Sequence, residues 1–208
     1  MKTTEAIIFD LGGVILDIDY HKTAEAFVDL GVENFSVLYS QLRQDRLFDD
    51  FEKGLIDPQH FRERLRSHAP AYLSDQQIDK AWNAILIGLP KENVDILFRL
   101  KEKYRLFLLS NTNEIHERAF RQMIENRYGE YVFDRIFEKM YLSHRIHMRK
   151  PEPEIYKLVL RENELDPLKT VFVDDSPQNV EGGMNVGLNS ILLEKGKKLQ
   201  DLESAFIG

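Results

Sequence analysis

The sequence predicts an α/β protein, a doubly wound, Rossmann-like parallel sheet into which a helical bundle is inserted. Three observations carry that expectation. Short unbroken apolar runs alternate with helical stretches through most of the chain; one long stretch near the start has helical periodicity and little β-branched density; and polar residues recur where the apolar runs stop.

The first run, Ala6 to Phe9, reads A-I-I-F, the mark of a strand buried on both faces. It stops on Asp10, followed at once by Leu11, Gly12 and Gly13. In open α/β sheets ligands bind at the carboxyl ends of strands. Paired glycines allow positive φ and let backbone N–H groups approach an anion such as phosphate. Taken alone, the stretch is equally an acid that caps a tight glycine turn.

From Asp17 to about Leu89 the pattern changes. Helices are expected over 23–30, 37–50, 58–68 and 74–86, separated at Gly31, Gly54, Pro58 and Pro70 and closed by Gly88 with Pro90. Asp57 before Pro58 and Ser74 before Asp75 have the chemistry of N-caps. Four helices without a strand, set between two strands of an α/β pattern, form an inserted bundle whose small size suits a lid. The expected division is a core of residues 1–16 and 90–208 and a helical cap of residues 17–89.

The alternation then resumes. A helix over 91–103 leads to an apolar strand over 104–109 that ends on Ser110-Asn111-Thr112-Asn113. A helix over 114–125 and a strand over 137–143 follow, then a loop holding His144, His147, Arg149, Lys150 and Pro151 and a helix over 154–164. The strand 170–173 ends on Asp174-Asp175, and a helix over 177–187 and a strand over 190–193 complete the series. The lysine-rich stretch 194–198 reads as a solvated loop.

Composition narrows the function. With 43% hydrophobic and 30% charged residues in 208, the chain is an ordinary globular protein. Its net charge of −7 and the lack of a basic cluster argue against a nucleic-acid partner. With no cysteine, disulfides, thiolate metal sites and cysteine nucleophiles are excluded. The apolar runs are too short to span a bilayer, so no membrane partner is expected. The opening M-K-T-T-E-A-I-I-F-D has no signal-peptide core and enters a strand directly, which points to the cytoplasm. Nothing in the sequence sets the oligomeric state.

Four polar clusters thus fall at strand ends or just beyond them: Asp10, Ser110 with Asn111, Lys150, and Asp174 with Asp175. Singly they have plain readings as helix caps, turns or a surface lysine. Together they make chemical sense as a phosphoryl-transfer site. Asp10 can attack phosphorus as a carboxylate nucleophile. Asp10 and Asp175 offer hard oxygen ligands to Mg²⁺. Lys150 adds positive charge and keeps Asp10 ionised. Ser110 and the N–H groups after it can grip phosphate oxygens at a helix N-terminus.

With these residues in place, the sequence resembles the haloacid dehalogenase superfamily, whose members are mostly aspartate-nucleophile phosphatases. The motifs are F-D-L-G-G-V, L-S-N-T-N, M-R-K-P and F-V-D-D-S-P-Q-N, and they cover nearly the whole chain. The resemblance implies that Asp10 is nucleophile and metal ligand, that the Gly12 carbonyl and Asp175 are further ligands to Mg²⁺, and that Asp174 and Asn179 hold Asp175 in place. It implies that Ser110, Asn111 and the Gly12–Gly13 turn bind the substrate phosphate and that Lys150 pairs with Asp10. Residues 17–89 match the helical cap of such enzymes, with Phe51 to Gly54 or Trp82-Asn83 as specificity residues. Phe51 and Trp82 equally suit the core of the bundle.

One position departs from the pattern. Family phosphatases usually carry Asp two residues after the nucleophile, as acid to the leaving group and base to water, an aid worth about 10² to 10⁴ in rate. This chain has Gly12. A catalytically silent phosphate-binding or regulatory protein is one alternative; a 2-haloacid dehalogenase is another, although there a Tyr usually stands where Leu11 does. The sequence is most similar to the branch that includes bacterial α-D-glucose-1-phosphate phosphatase, with its F-D-L-G-x-V-I-x-D-I-D stretch. An anomeric hydroxyl is a better leaving group than an ordinary alcohol and needs less acid help. The expected function is therefore Mg²⁺-dependent hydrolysis of a small phosphorylated metabolite, a sugar phosphate with sugar 1-phosphate favoured, through an aspartyl-phosphate. Asp17, Asp19, His144 and His147 are candidates for a replacement acid.

Overall fold

The computed structural model describes residues 4–32, 35–44, 46–69 and 72–206. Pro70, expected as a helix break, and residues 1–3 of the opening segment lie outside them. The strands are β1 (Ala6–Phe9), β2 (Asp17–Ile18), β3 (Leu86–Gly88), β4 (Arg105–Ser110), β5 (Lys139–Leu142), β6 (Thr170–Asp174) and β7 (Asn189–Leu192). Five of them form a parallel sheet in the order β5-β4-β1-β6-β7, so the chain's first strand is its middle one. That place explains its composition. Ala6, Ile7, Ile8 and Phe9 are all fully buried because helices cover both faces.

Register brings the site together. Phe9 lies opposite Leu108 of β4 and Val173 of β6, so the chain leaves all three strands at one edge, at Asp10, Ser110 and Asp174. On one face α6 (Lys91–Lys101), α7 (Glu114–Tyr128) and α8 (Val132–Ile136) cover the sheet, with Ile7, Phe9, Leu97, Phe120 and Ile136 in one apolar cluster. The other face holds α10 (Pro153–Glu162) and α11 (Pro177–Asn185), with Ile8, Phe107, Tyr156 and Phe172 packed together. Residues 194–198 are exposed, as expected of a solvated loop. The chain then turns back through α12 (Glu203–Phe206), and the Phe206 ring meets Phe9 edge-on at 6.0 Å.

Among the described residues the insertion holds α1 (Tyr20–Asp29), α2 (Phe35–Gln44), α3 (Leu47–Glu52), α4 (Pro58–Arg66) and α5 (Asp75–Trp82). The helix expected over 37–50 is two, because Arg46 takes a left-handed φ of 59°. The insertion is not free of strands either. β2 and β3 pair antiparallel at its two ends, Asp17 opposite Gly88 and Ile18 opposite Leu86, a ribbon too short to show alternation in sequence. Three short helices also escaped the periodicity, α8, α9 (Ser143–Ile146) and α12, since one turn shows no repeat.

The expected N-caps are present. The Asp57 carboxylate accepts from the His60 N–H at 2.7 Å, and Ser74 and Gln77 cap each other reciprocally. Phe51 and Trp82 belong to the core of the bundle, stacked with Phe61 and Phe48 respectively. That core does not close on itself. Ile115 of α7 enters the same cluster, and His116 stacks on Trp82 at 5.1 Å.

Candidate active site

The centre of the site is Lys150, 1% exposed, whose Nζ lies 2.6 Å from Asp10 Oδ1 and 2.6 Å from Asp174 Oδ2. Burying an ammonium costs several kcal/mol unless charge and hydrogen bonds replace its water, and two carboxylates do so here. Burial works to discharge it, but Asp10 and Asp174 together outweigh burial and hold its pKa above the usual lysine value.

Asp174 has its oxygens engaged. Besides Lys150 it accepts from the Ser176 N–H at 2.8 Å and from Asn179 Nδ2 at 3.0 Å, which fixes it at the start of α11. Asp175 is exposed and turns toward the first loop, where Gly13 has a φ of +78° and a Cβ would run into its carboxylate. Gly13 is glycine for both reasons. The N–H of Gly13, expected to approach an anion, instead donates to the Leu16 carbonyl at 2.9 Å, because the loop closes on itself.

Oxygens of Asp10, Asp174 and Asp175 lie within 4.8 Å of one another. Burial, opposed by Lys150 and abetted by Asp174 and Asp175, pushes the Asp10 carboxyl up to about 7. Burial and Asp174 raise Asp175 as well. Three acids against one lysine leave an excess of negative charge and oxygen donors, which fits a hard divalent cation such as Mg²⁺. The cation's charge acts against both upward shifts and favours ionised carboxylates.

Ser110 is 3% exposed, and its hydroxyl makes one long contact, 3.5 Å to the Asn111 carbonyl. The side-chain amide of Asn111 is engaged within the protein. Its Nδ2 donates to the Lys150 carbonyl and its Oδ1 accepts the Lys150 N–H, both at 2.9 Å, so the amide clamps the lysine's backbone. Ser143, which nothing in the sequence singled out, clamps the same strand end: its hydroxyl bridges the N–H and carbonyl of Thr112 at 2.9 Å each.

At Gly12 a Cβ would meet Ile18 Cδ1 at 3.3 Å, so the β2 ribbon crowds the position from which an acid would project. The four candidate replacement acids are placed as follows. Asp19 caps α1 by accepting from the His21 N–H; Asp17 is exposed on β2; His144 Nε2 bonds Glu117 at 2.9 Å; His147 Nδ1 donates to the Lys53 carbonyl at 2.8 Å. Tyr20 was missed. Its side chain is 67% exposed, and its hydroxyl sits where surrounding protein and the charges of Asp175 and Asp10 push its pKa to about 12. A lone tyrosine after a two-residue strand offered no sequence signal.

Comparison with known proteins agrees with this geometry. The family model for haloacid dehalogenase-like hydrolases matches residues 4–187. The chain is 30% identical over 190 residues to a D-ribitol-5-phosphate phosphatase of Bacteroides thetaiotaomicron, covering 91% of this chain and 92% of that protein. Crystal structures of a haloacid dehalogenase family enzyme from the same organism superimpose with a TM-score of 0.89 at 36% identity, covering 97% of this chain and 98% of that one. Another crystal of that enzyme, complexed with magnesium and inorganic phosphate, gives 0.86 at 35%, covering 96% and 99%. A related hydrolase from Porphyromonas gingivalis gives 0.86 at 27%, covering 99% and 97%.

Proposed function

The chain belongs to the haloacid dehalogenase-like hydrolases, and from that premise we propose that it is a Mg²⁺-dependent phosphatase of phosphorylated sugars or sugar alcohols, acting through an aspartyl-phosphate on Asp10. The observation that carries the reading is the buried Lys150 held between Asp10 and Asp174 at 2.6 Å each. A protein that only bound phosphate would gain nothing from a nucleophile so oriented.

In this reading Lys150 holds Asp10 Oδ1, and the second oxygen of Asp10 attacks phosphorus in line with the departing alcohol. The Ser110 hydroxyl and backbone N–H groups ahead of α7 bind the phosphoryl oxygens. Asp10, Asp175 and the Gly12 carbonyl would hold Mg²⁺, which neutralises the repulsion between a carboxylate and a phosphate dianion. Water then releases phosphate and restores Asp10.

Two leaving-group classes have separate support. The relationship to a D-ribitol-5-phosphate phosphatase favours a primary alkyl phosphate of a sugar alcohol. The glycine at position 12, crowded by Ile18, favours an anomeric phosphate that departs without an acid, as in the glucose-1-phosphate branch. Phosphate release with Mg²⁺ across sugar 1-phosphates, ribitol 5-phosphate and sugar 6-phosphates tests both. A kcat at least about tenfold higher on anomeric substrates supports the second; equal values or a ribitol preference remove it. Loss of all turnover in Asp10→Asn is expected, and turnover that survived it would overturn the reading.

A further inference from the structure

We propose that Arg149 is a positioning residue that ties closure of the helical cap to the placement of Lys150. The inference rests on the phosphatase reading above and adds to it the means by which the cap reaches the chemistry.

Arg149 directly precedes the lysine. Its Nη1 donates to Asp49 Oδ1 at 2.6 Å, and its Nη2 lies 2.8 Å from Glu52 Oε2; both acids belong to α3 of the cap. The residue after α3, Lys53, pairs with Glu152, two places beyond the lysine. Cap and core thus exchange charges on both sides of Lys150, an arginine to cap acids before it and a cap lysine to a core acid after it. Backbone contacts bring the same two segments together. His147 Nδ1 donates to the Lys53 carbonyl at 2.8 Å, and Gly54, at a φ of 63°, lies so close to the His144 carbonyl that a Cβ would run into it.

Lys150 has its own backbone fixed from the core side by the Asn111 amide. Residues 149 to 152 are therefore held at one point by the core and on both flanks by the cap. Glu52 is near enough to Lys150 for their charges to interact. The lysine must reach two carboxylates at once, and a displacement of a few tenths of an ångström weakens both contacts. Closing the cap supplies the flanking restraints; opening it releases them. Two of the three cross-seam pairs suit this use because their acids are partly solvated: Asp49 and Glu152 are each 41% exposed, while Glu52 Oε2 is closed off from solvent. Such pairs break and re-form readily, unlike the buried pairs of Lys150.

The test uses the full chain with Mg²⁺. Because it has no cysteine, spin labels can be placed through Tyr72→Cys on the cap and Leu168→Cys on the core, at side chains 81% and 58% exposed. Charge reversal by Lys53→Glu or by Glu152→Lys is expected to broaden the label-to-label distance and to lower kcat about tenfold with KM changed less than about threefold. The double reversal should restore both to within about threefold. Arg149→Met should lower kcat at least as far as either single reversal, with Arg149→Lys recovering part. A kcat unmoved by the single reversals overturns the proposal, as does a double variant no better than the singles. If the wild type hydrolyses no phosphate monoester, the phosphatase reading fails instead, and the distances alone judge the coupling: unbroadened in both single variants, they overturn it.

Discussion

The carboxyl edge of the sheet and the seam between cap and core both run on charge, but they solve opposite problems. At the sheet edge Lys150 is sealed among Asp10 and Asp174, and further donors fix Asp174 in turn. At the seam, Arg149 and Lys53 meet acids across an interface that water reaches. A buried charge that loses its partner stays buried and unpaired, whereas a seam charge that loses its partner is hydrated. The first arrangement is permanent; the second can open and close.

The largest effect that tests this contrast is Lys150→Met. It leaves two acids buried without their cation and should cost about 3 to 5 kcal/mol of stability as well as all measurable turnover. Urea unfolding checks it, with Lys53→Glu as the comparison at about 1 kcal/mol or less. Equal costs would break the contrast. Next is Gly13→Ala, which meets both the positive φ and the Asp175 carboxylate. It should cost about 1 to 2 kcal/mol and weaken Mg²⁺ binding at least about tenfold by calorimetric titration. Unchanged Mg²⁺ affinity would separate Asp175 from the metal.

The seam also has a permanent side. His116 of α7 stacks on Trp82 and contacts Asn83, and burial lowers its pKa from 6.5 to about 3. The unfolded chain therefore binds a proton below pH 6.5 that the folded chain refuses. Stability is fully present above that pH and falls by about 1.4 kcal/mol per unit as pH drops toward 3. His116→Phe should flatten this slope between pH 6.5 and 5, read from urea midpoints; an unchanged slope would assign the acid sensitivity elsewhere. The smallest expected effect is Ser74→Ala, about 1 kcal/mol from the lost cap of α5, seen as a lower thermal midpoint with kcat unchanged.

The parts of this protein that sequence displays are those with a local cause. An unbroken A-I-I-F run announces a central strand, because burial on both faces leaves no room for alternation. Asp57 with Pro58 and Ser74 with Gln77 announce helix starts, because a cap acts on its own first turn. The β2–β3 ribbon was illegible, since its strands are two and three residues long and stabilised by each other across the whole insertion. So was the break at Arg46, which follows a backbone angle that no nearby glycine signals.

The candidate site divides the same way. Asp10, Ser110, Lys150 and the Asp174–Asp175 pair were visible as polar residues at the ends of apolar runs, and parallel strands deliver such ends to one edge. What each side chain does there was not visible. Asn111, expected on phosphate, clamps the Lys150 backbone; Gly13, expected to offer its N–H, makes room for Asp175. Arg149 was visible in its motif but its task was not, because its partners Asp49 and Glu52 lie far away in sequence. The sequence by itself determined the fold class, the positions of the chemistry-bearing residues and the absence of an acid at Gly12, since all three are written in residue type and spacing. Only the tertiary structure decided that the lysine holds Asp174 as well as Asp10, what crowds Gly12, and how the cap's charges meet the segment around Lys150. Those depend on contacts between segments up to 140 residues apart, to which hydrophobic periodicity is blind.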